Sequence, residues 1–393
     1  MLTSIRPAML TALLLSAVAC FEAQAAPVAQ ATKQATEQAV TPDSEAAPID
    51  SKPDPRIGTK VIVTVPGALL KTPEATVWKA YLGETFTVSL INGEWLWIND
   101  KRGWLWEKDV VPFDSAISEM TNQVDSAPSP ENYHLRGISY VAHRDYDKAI
   151  ADFTQSLKLK KNNAGVLNNR GQAYYLKGDY ARAISDLNVA VTLDPKHFVA
   201  MNNRALCFIA QDELDNAKRD LDAALSLHKE YPEALNNRGV IHSRKGEYQA
   251  AVTDLTAAIE IYQNYTDAYG NRSFAYRRLN MFNEAIADVK QAMAIDATDY
   301  KPVNDLAWIL ATADDANIRN PEEAVKEATR ACEMTQYSNW NTLDTLAAAY
   351  ASKGDFKSAL QWITTAAEKA PEKYKPTLEN HRQLIAAGKP IPQ

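Results

Sequence analysis

From residue 130 onward, small and large apolar positions return at a constant interval. Gly137, Gly171, Ala205, Gly239 and Ser273 form one column, each 34 residues after the last (171 − 137). Tyr140, Tyr174, Phe208, His242 and Tyr276 form a second, and Ala149, Ala183, Ala217, Ala251 and Ala285 a third. Phe153, Leu187, Leu221, Leu255 and Val289 follow, then Ser156, Ala190, Ala224, Ala258 and Ala292. Small side chains let two helices approach, and large ones fill the space between them. Within each unit, Lys177-Gly178-Asp179 or Lys245-Gly246-Glu247 marks a turn between two runs of helical period. Each unit is therefore expected to be a helical hairpin, closed at one point by Asp194-Pro195.

Before this region the pattern is different. Val61–Val65, Thr85–Leu90, Trp95–Ile98 and Gly103–Trp106 are short β-favouring runs separated by turn signals. Alternation puts Leu96 and Ile98 on one face and Trp95 and Trp97 on the other. The expectation over 57–113 is a small domain of five strands. Trp95, Trp97 and Trp106 are more large aromatics than so small a core needs. They form an exposed platform for a peptide or sugar, or they pack on the first helices of the neighbouring domain.

The repeats strongly resemble the tetratricopeptide repeat family. Five consecutive units are in phase. A sixth begins at Asn304-Asp305-Leu306-Ala307-Trp308 and carries a longer loop around 314–320, and a seventh runs from Trp340 to Pro371. The resemblance implies an all-α tetratricopeptide-repeat superhelix of about seven hairpins over 130–375, with a capping helix and tail over 376–393. The strand-rich stretch resembles bacterial SH3-like domains at Leu82-Gly83-Glu84, Gly93-Glu94-Trp95 and Gly103-Trp104-Leu105. That resemblance implies a small N-terminal all-β barrel, of a kind tied in exported proteins to cell-wall peptides or protein contacts. Residues 114–129 read as a linker.

Two polar columns qualify this picture. Arg136, Arg170, Arg204, Arg238 and Arg272 repeat, and so do Asp152, Asp186, Asp220, Asp254 and Asp288, always 16 residues later (152 − 136). The paired recurrence favours Arg–Asp bridges within a hairpin or between neighbours over an arginine ladder for a ligand. Asn169, Asn203, Asn237 and Asn271 form the other column, preceded in three units by Asn168, Asn202 and Asn236. An amide is both donor and acceptor, so a row of them can hold peptide backbone or bond to the adjacent helix. In the tetratricopeptide family this column lies on the first helix and faces the groove, and some members use asparagine there for peptide main chain. Those seven asparagines are the candidate ligand contacts. The flanking Leu167, Met201 and Leu235 are apolar, so the lysines of a carboxylate clamp are missing.

The N-terminus changes the expected location. Arg6, the apolar run Met9–Ala19 and Ala23-Gln24-Ala25 read as a signal peptide over 1–25, with Cys20 as a lipidation site in a second, lipoprotein reading. Residues 26–56, rich in Ala, Pro and Thr and without an aromatic, read as a tether. Export to a bacterial periplasm or cell envelope follows, with the membrane touched only through a lipid anchor. Cys207 and Cys332 remain, and both read as buried thiols.

Composition and motifs then narrow function. The net charge of −7 and the lack of basic clusters argue against a nucleic-acid partner. The six histidines, among them His134, His242 and His381, show no zinc-hydrolase spacing, and phosphate-loop and nucleophile-elbow motifs are absent. No catalytic residue, metal or cofactor is assigned, and the chain reads as non-enzymatic. The leading expectation is a protein-interaction scaffold that binds a peptide or helix in the repeat groove. The alternative is a cell-wall binding module, for peptidoglycan peptide or glycan, acting through the tryptophans.

Overall fold

The structure, a computed structural model, describes residues 54–73 and 75–392. The leader, Cys20 and nearly all of the tether lie outside the described residues. Two compact units divide between residues 227 and 228.

The N-terminal unit opens with a seven-stranded antiparallel sheet: β1 (Lys60–Val63), β2 (Leu69–Lys71), β3 (Thr76–Lys79), β4 (Thr85–Asn92), β5 (Trp95–Ile98), β6 (Gly103–Trp106) and β7 (Val110–Pro112). The strand order is β3-β2-β6-β5-β4-β1-β7. This corrects the expectation of a closed SH3-like barrel. The sheet is open, with β3 and β7 as its two edges. The β2–β3 hairpin attaches outside β6, which leaves five strands between β3 and the edge it would have to join. The motifs that suggested the barrel do local work. Gly83 and Gly93 take positive φ at turns, and the Glu84 carboxylate accepts bonds from the Tyr81 N–H at 3.0 Å and Trp78 Nε1 at 3.2 Å.

The sheet core holds Val61, Leu70, Phe86, Val88, Leu96, Ile98 and Leu105. Leu82 is not part of it: it packs with Ile138, Val141, Ala149 and Phe153 of the first hairpin. Phe113 stacks on His143 at 4.0 Å between ring centroids. Residues 114–129, expected as a linker, contain helix α1 (Ala116–Ser126). Its buried Ala116, Met120 and Val124 stand four residues apart, one apolar stripe of a helix.

Three hairpins complete this unit: α2 (Pro130–Ala142) with α3 (Tyr146–Leu159), α4 (Ala164–Leu176) with α5 (Tyr180–Leu193), and α6 (Phe198–Ala210) with α7 (Leu214–Leu227). The second unit holds four more: α8 (Pro232–Arg244) with α9 (Tyr248–Ile261), α10 (Thr266–Arg278) with α11 (Phe282–Ile295), α12 (Tyr300–Thr312) with α13 (Pro321–Met334), and α14 (Trp340–Ser352) with α15 (Phe356–Lys369). Helix α16 (Lys375–Ala386) follows and buries Leu378 and Ile385.

The columns seen in the sequence explain the hairpins. Phe153, Leu187, Leu221, Leu255 and Val289 are fully buried. A Cβ on Gly137 would lie 2.6 Å from the Phe153 ring, and one on Gly171 would lie 2.8 Å from Leu187 Cγ. Side-chain caps start the helices: Ser129 accepts from the Asn132 N–H, with Pro130 in the first turn, and Asp179 accepts from the Arg182 N–H. In the sixth hairpin the longer loop is tied back by the Asn320 N–H to the Leu310 carbonyl, at 3.0 Å.

Candidate functional site

The arginine and aspartate columns meet in all five hairpins. The 16-residue offset brings a first-helix arginine opposite a second-helix aspartate. Each contact is two-pronged: Nε and Nη2 donate to the two carboxylate oxygens, at 2.6–2.8 Å, in Arg136–Asp152, Arg170–Asp186, Arg204–Asp220, Arg238–Asp254 and Arg272–Asp288. The third nitrogen reaches the preceding hairpin: Arg170 Nη1 donates to Thr154 Oγ1 at 3.1 Å, Arg204 Nη1 to Asn188 Oδ1 at 2.8 Å and Arg272 Nη1 to Thr256 Oγ1 at 2.9 Å. One guanidinium thus fixes the two helices of its own hairpin and the spacing to its neighbour. The hydrogen bonds to Asp186 hold the Arg170 pKa above its ordinary value. These fully engaged cations are structural and do not form a ligand ladder.

The asparagines also bond to one another. In the N-terminal unit, Asn203 Nδ2 donates to Asn168 Oδ1 at 2.9 Å, Asn168 Nδ2 to Asn169 Oδ1 at 3.0 Å, and Asn169 Nδ2 meets His134 Nε2 at 3.0 Å. The relay crosses the three first helices α6, α4 and α2. In the second unit, Asn271 Nδ2 donates to Asn236 Oδ1 at 2.8 Å, and Asn236 Nδ2 to Asn237 Oδ1 at 3.4 Å. Asn168, Asn169, Asn202, Asn203, Asn236, Asn237 and Asn271 are all buried. The picture of a free row of groove amides is corrected accordingly: at least one valence of each bonded amide is spent on holding neighbouring first helices in register. His134 stands in the same column, 34 residues before Asn168 (168 − 134), where the sequence reading missed it because it is not an amide. Burial pulls its pKa down to about 4, so it is neutral at pH 7 and can accept from Asn169.

A different set of groups is left over. Among the described residues, four buried side-chain atoms without a hydrogen-bond partner are Gln172 Nε2, Ser243 Oγ, Asn304 Oδ1 and Asn341 Oδ1. They lie on α4, α8, α12 and α14, all first helices of hairpins. In the second unit, Ser243, Asn304 and Asn341 fall at the twelfth, fifth and second positions of their helices, the spacing of one helical stripe. That stripe also carries Val240, Phe274 and Trp308, at the ninth position of their helices.

Leu82 and Phe113 pack the sheet against the first hairpin. Trp95 pairs with Trp106 and Trp97 with Trp104 across β5 and β6, on the face opposite Leu96 and Leu105. The Trp97 and Trp104 rings meet edge to face at 5.2 Å. Trp106 is exposed, donates to Glu94 Oε2 at 3.3 Å and lies 4.9 Å from Lys108 Nζ. The rings are partly spent on each other, so the surface is a ribbed aromatic ladder rather than a flat shelf. Cys207 and Cys332 are buried free thiols whose pKa values burial raises to about 12 and about 11, which leaves them unreactive.

Comparison with known proteins agrees with the helical part. Residues 134–198, 202–268 and 266–299 match models of the tetratricopeptide repeat. The chain is similar to a chain of the APC/C hetero-tetramer Cut9–Hcn1, at 18% identity and a TM-score of 0.55, over 60% of this chain and 46% of that one. It thus spans less than half of that protein's length. A tetratricopeptide repeat protein from Parabacteroides merdae shares 16% identity at a TM-score of 0.43, over 70% of this chain and 92% of its own. MamA shares 26% identity at a TM-score of 0.37, over 41% of this chain and 94% of its own. No curated protein matches the sequence. The repeat architecture is that of a non-catalytic, protein-binding scaffold.

Proposed function

We propose that the first-helix stripe holds an extended segment or a helix of a partner protein. The supporting observation is the set of unpartnered polar atoms on it. A buried polar atom without a partner costs about 1–3 kcal/mol, and Ser243, Asn304 and Asn341 place three such atoms on first helices of the second unit. Half-buried Phe274 offers such a segment apolar contact. The asparagine relay contributes by fixing the spacing of the first helices before the partner arrives.

The reading extends to place: residues 1–25 suit export, and the partner is then met in the cell envelope. N-terminal sequencing of the mature protein from fractionated cells tests that step. A start at Ala26 supports simple export, and a full-length chain in the cytosol contradicts it.

Positional crosslinking tests the binding surface. A photo-reactive phenylalanine analogue at Phe274 should capture a partner in cells, and the same analogue at exposed Val189 on second helix α5 should not. Equal capture at both positions, or capture at Val189 alone, overturns the assignment.

A further inference from the structure

One face of the sheet carries large apolar side chains outside the core. Leu90 of β4 is paired with Trp97 of β5, and Trp97 with Trp104 of β6; Trp95 and Trp106 are paired beside them. Directly paired residues share a face, so all five stand opposite the core residues Leu96, Ile98 and Leu105. Leu90 is 55% exposed and Trp106 37%, while Trp95, Trp97 and Trp104 are half-buried. Three adjacent strands make this one patch about 10 Å across. A contiguous apolar patch left open to water marks a contact surface. Cations border it. Lys71 of β2 is paired with Trp104, and Lys108 Nζ lies 4.9 Å from the centre of the Trp106 ring.

The chain enters the sheet beside this patch. Arg56 Nη1 donates to Glu107 Oε1 at 2.8 Å, and Glu107 directly follows Trp106. The same guanidinium holds Asp54, with Nη2 to Oδ2 at 2.7 Å and Nε to Oδ1 at 3.0 Å. The entry point is thereby tied to the Trp106 end of the ladder. The stretch 42–53, outside the described residues, comes immediately before Asp54. It offers Pro42, Pro48, Ile49 and Pro53 as apolar groups, and Asp43, Glu45 and Asp50 as acids against the single cation Lys52. Proline loses little chain entropy on binding and packs well on aromatic side chains. The acids complement Lys71 and Lys108. Six extended residues span about 20 Å, so Pro48 and Ile49 can reach any ring of the patch from Asp54.

We infer that residues 42–53 of this chain dock on the tryptophan face, with Pro48 and Ile49 against the rings and the acids toward Lys71 and Lys108. The face is then occupied by the chain itself, and an outside ligand has to displace it. Tethering supplies a local concentration of about 1 mM, so a contact too weak to hold a free peptide still holds this one. The inference is independent of the first-helix reading of the repeats.

The experiment uses the full chain with a photo-reactive phenylalanine analogue at Ala47, beside Pro48. Light and heavy-isotope chains are mixed before illumination, and adducts are mapped by mass spectrometry. Adducts should join position 47 to residues 90–106 of the same chain. Their yield should exceed that from the analogue at Ala31 by about tenfold, as a contact of about 0.1 mM held at about 1 mM would give. Leu90→Ser combined with Trp106→Ser, both at exposed positions, should lower the yield to the Ala31 level. Pro48→Gly combined with Ile49→Ser should do the same while leaving the sheet sequence untouched. Equal yields from Ala47 and Ala31, or adducts that map elsewhere, would overturn the docking. Adducts that join light to heavy chains would overturn it in favour of a second copy on this face. Loss in the Leu90 and Trp106 variant without loss in the Pro48 and Ile49 variant would trace the effect to a disturbed sheet, and the contact would fall.

Discussion

One substitution, glycine to alanine, should move stability in opposite directions at two helix-interior sites. At Gly270 the new Cβ meets nothing within 4 Å, so only helix propensity changes. Alanine is favoured there by about 0.5–1 kcal/mol, and the Gly270→Ala chain should be more stable by that amount. At Gly137 the same gain applies, but the Cβ would lie 2.6, 2.8 and 3.1 Å from three ring atoms of Phe153. A fully buried ring cannot yield as the tip of a flexible side chain can, and overpacking costs about 1–3 kcal/mol. Overpacking wins, and Gly137→Ala should be destabilised by a net amount of about 1 kcal/mol. Repeat stacks open locally, so the readout is amide hydrogen exchange in α2–α3 and in α10–α11, together with urea denaturation. Faster exchange confined to α2–α3 in one variant and slower exchange in α10–α11 in the other is the expected pair. Stabilisation of similar size in both would refute the steric account of the glycine column.

Two further outcomes are expected. Asp186→Ala removes two charge-assisted bonds from a partly buried Arg170 and should cost about 2 kcal/mol, with most of the loss recovered in the Arg170→Met, Asp186→Ala double variant; additive losses in that cycle would mean the pair does not interact. The pKa of His134 falls from 6.5 to about 4 on folding, so the unfolded chain gains a proton first as pH drops, and stability should decline by up to about 3 kcal/mol between about pH 6.5 and 4. A His134→Asn chain, with the residue found at the equivalent position of α4, should lack this decline; superimposable pH profiles in urea would count against it.

The hairpins are legible in the sequence because their cause is steric and periodic. Glycine or alanine opposite phenylalanine or leucine at a fixed offset has one physical reading, and the helices at 164–176 and 180–193 fall where it puts them. Strands β5 and β6 are equally plain, since Trp95-Leu96-Trp97-Ile98 alternates fully. What alternation does not contain is whether the edges join. Strands β2, β3 and β7 have only three or four residues each, and the open order depends on which distant strand each one finds. Helix α1 was visible as Ala116, Met120 and Val124, but its polar surroundings resembled a linker. The asparagine column was ambiguous for a chemical reason: an amide that can bind a peptide can equally bind the next amide, and neighbours only 35 residues apart are always present, whereas a ligand is not.

Most local rules of this fold hold along the hairpins. Columns of small residues have a large residue to receive, and arginines of the repeated column have their aspartates. Ser129 and Asp179 cap their helices, while Tyr231, Glu247, Tyr265 and Met281 provide no side-chain cap. On α10 and α12, the second and third first helices of the second unit, three features depart from these rules. Gly270 sits inside α10 with no steric demand, Asp267 carries a carboxylate without a bond, and Asn304 on α12 keeps a buried oxygen unpaired. Each lapse alone would be a small inefficiency. Sequences that otherwise agree with their fold at every level tend to depart from it where something other than the fold is being satisfied. Here that departure lies on first helices of the second unit, where the Arg–Asp and amide networks hold the hairpins in shape.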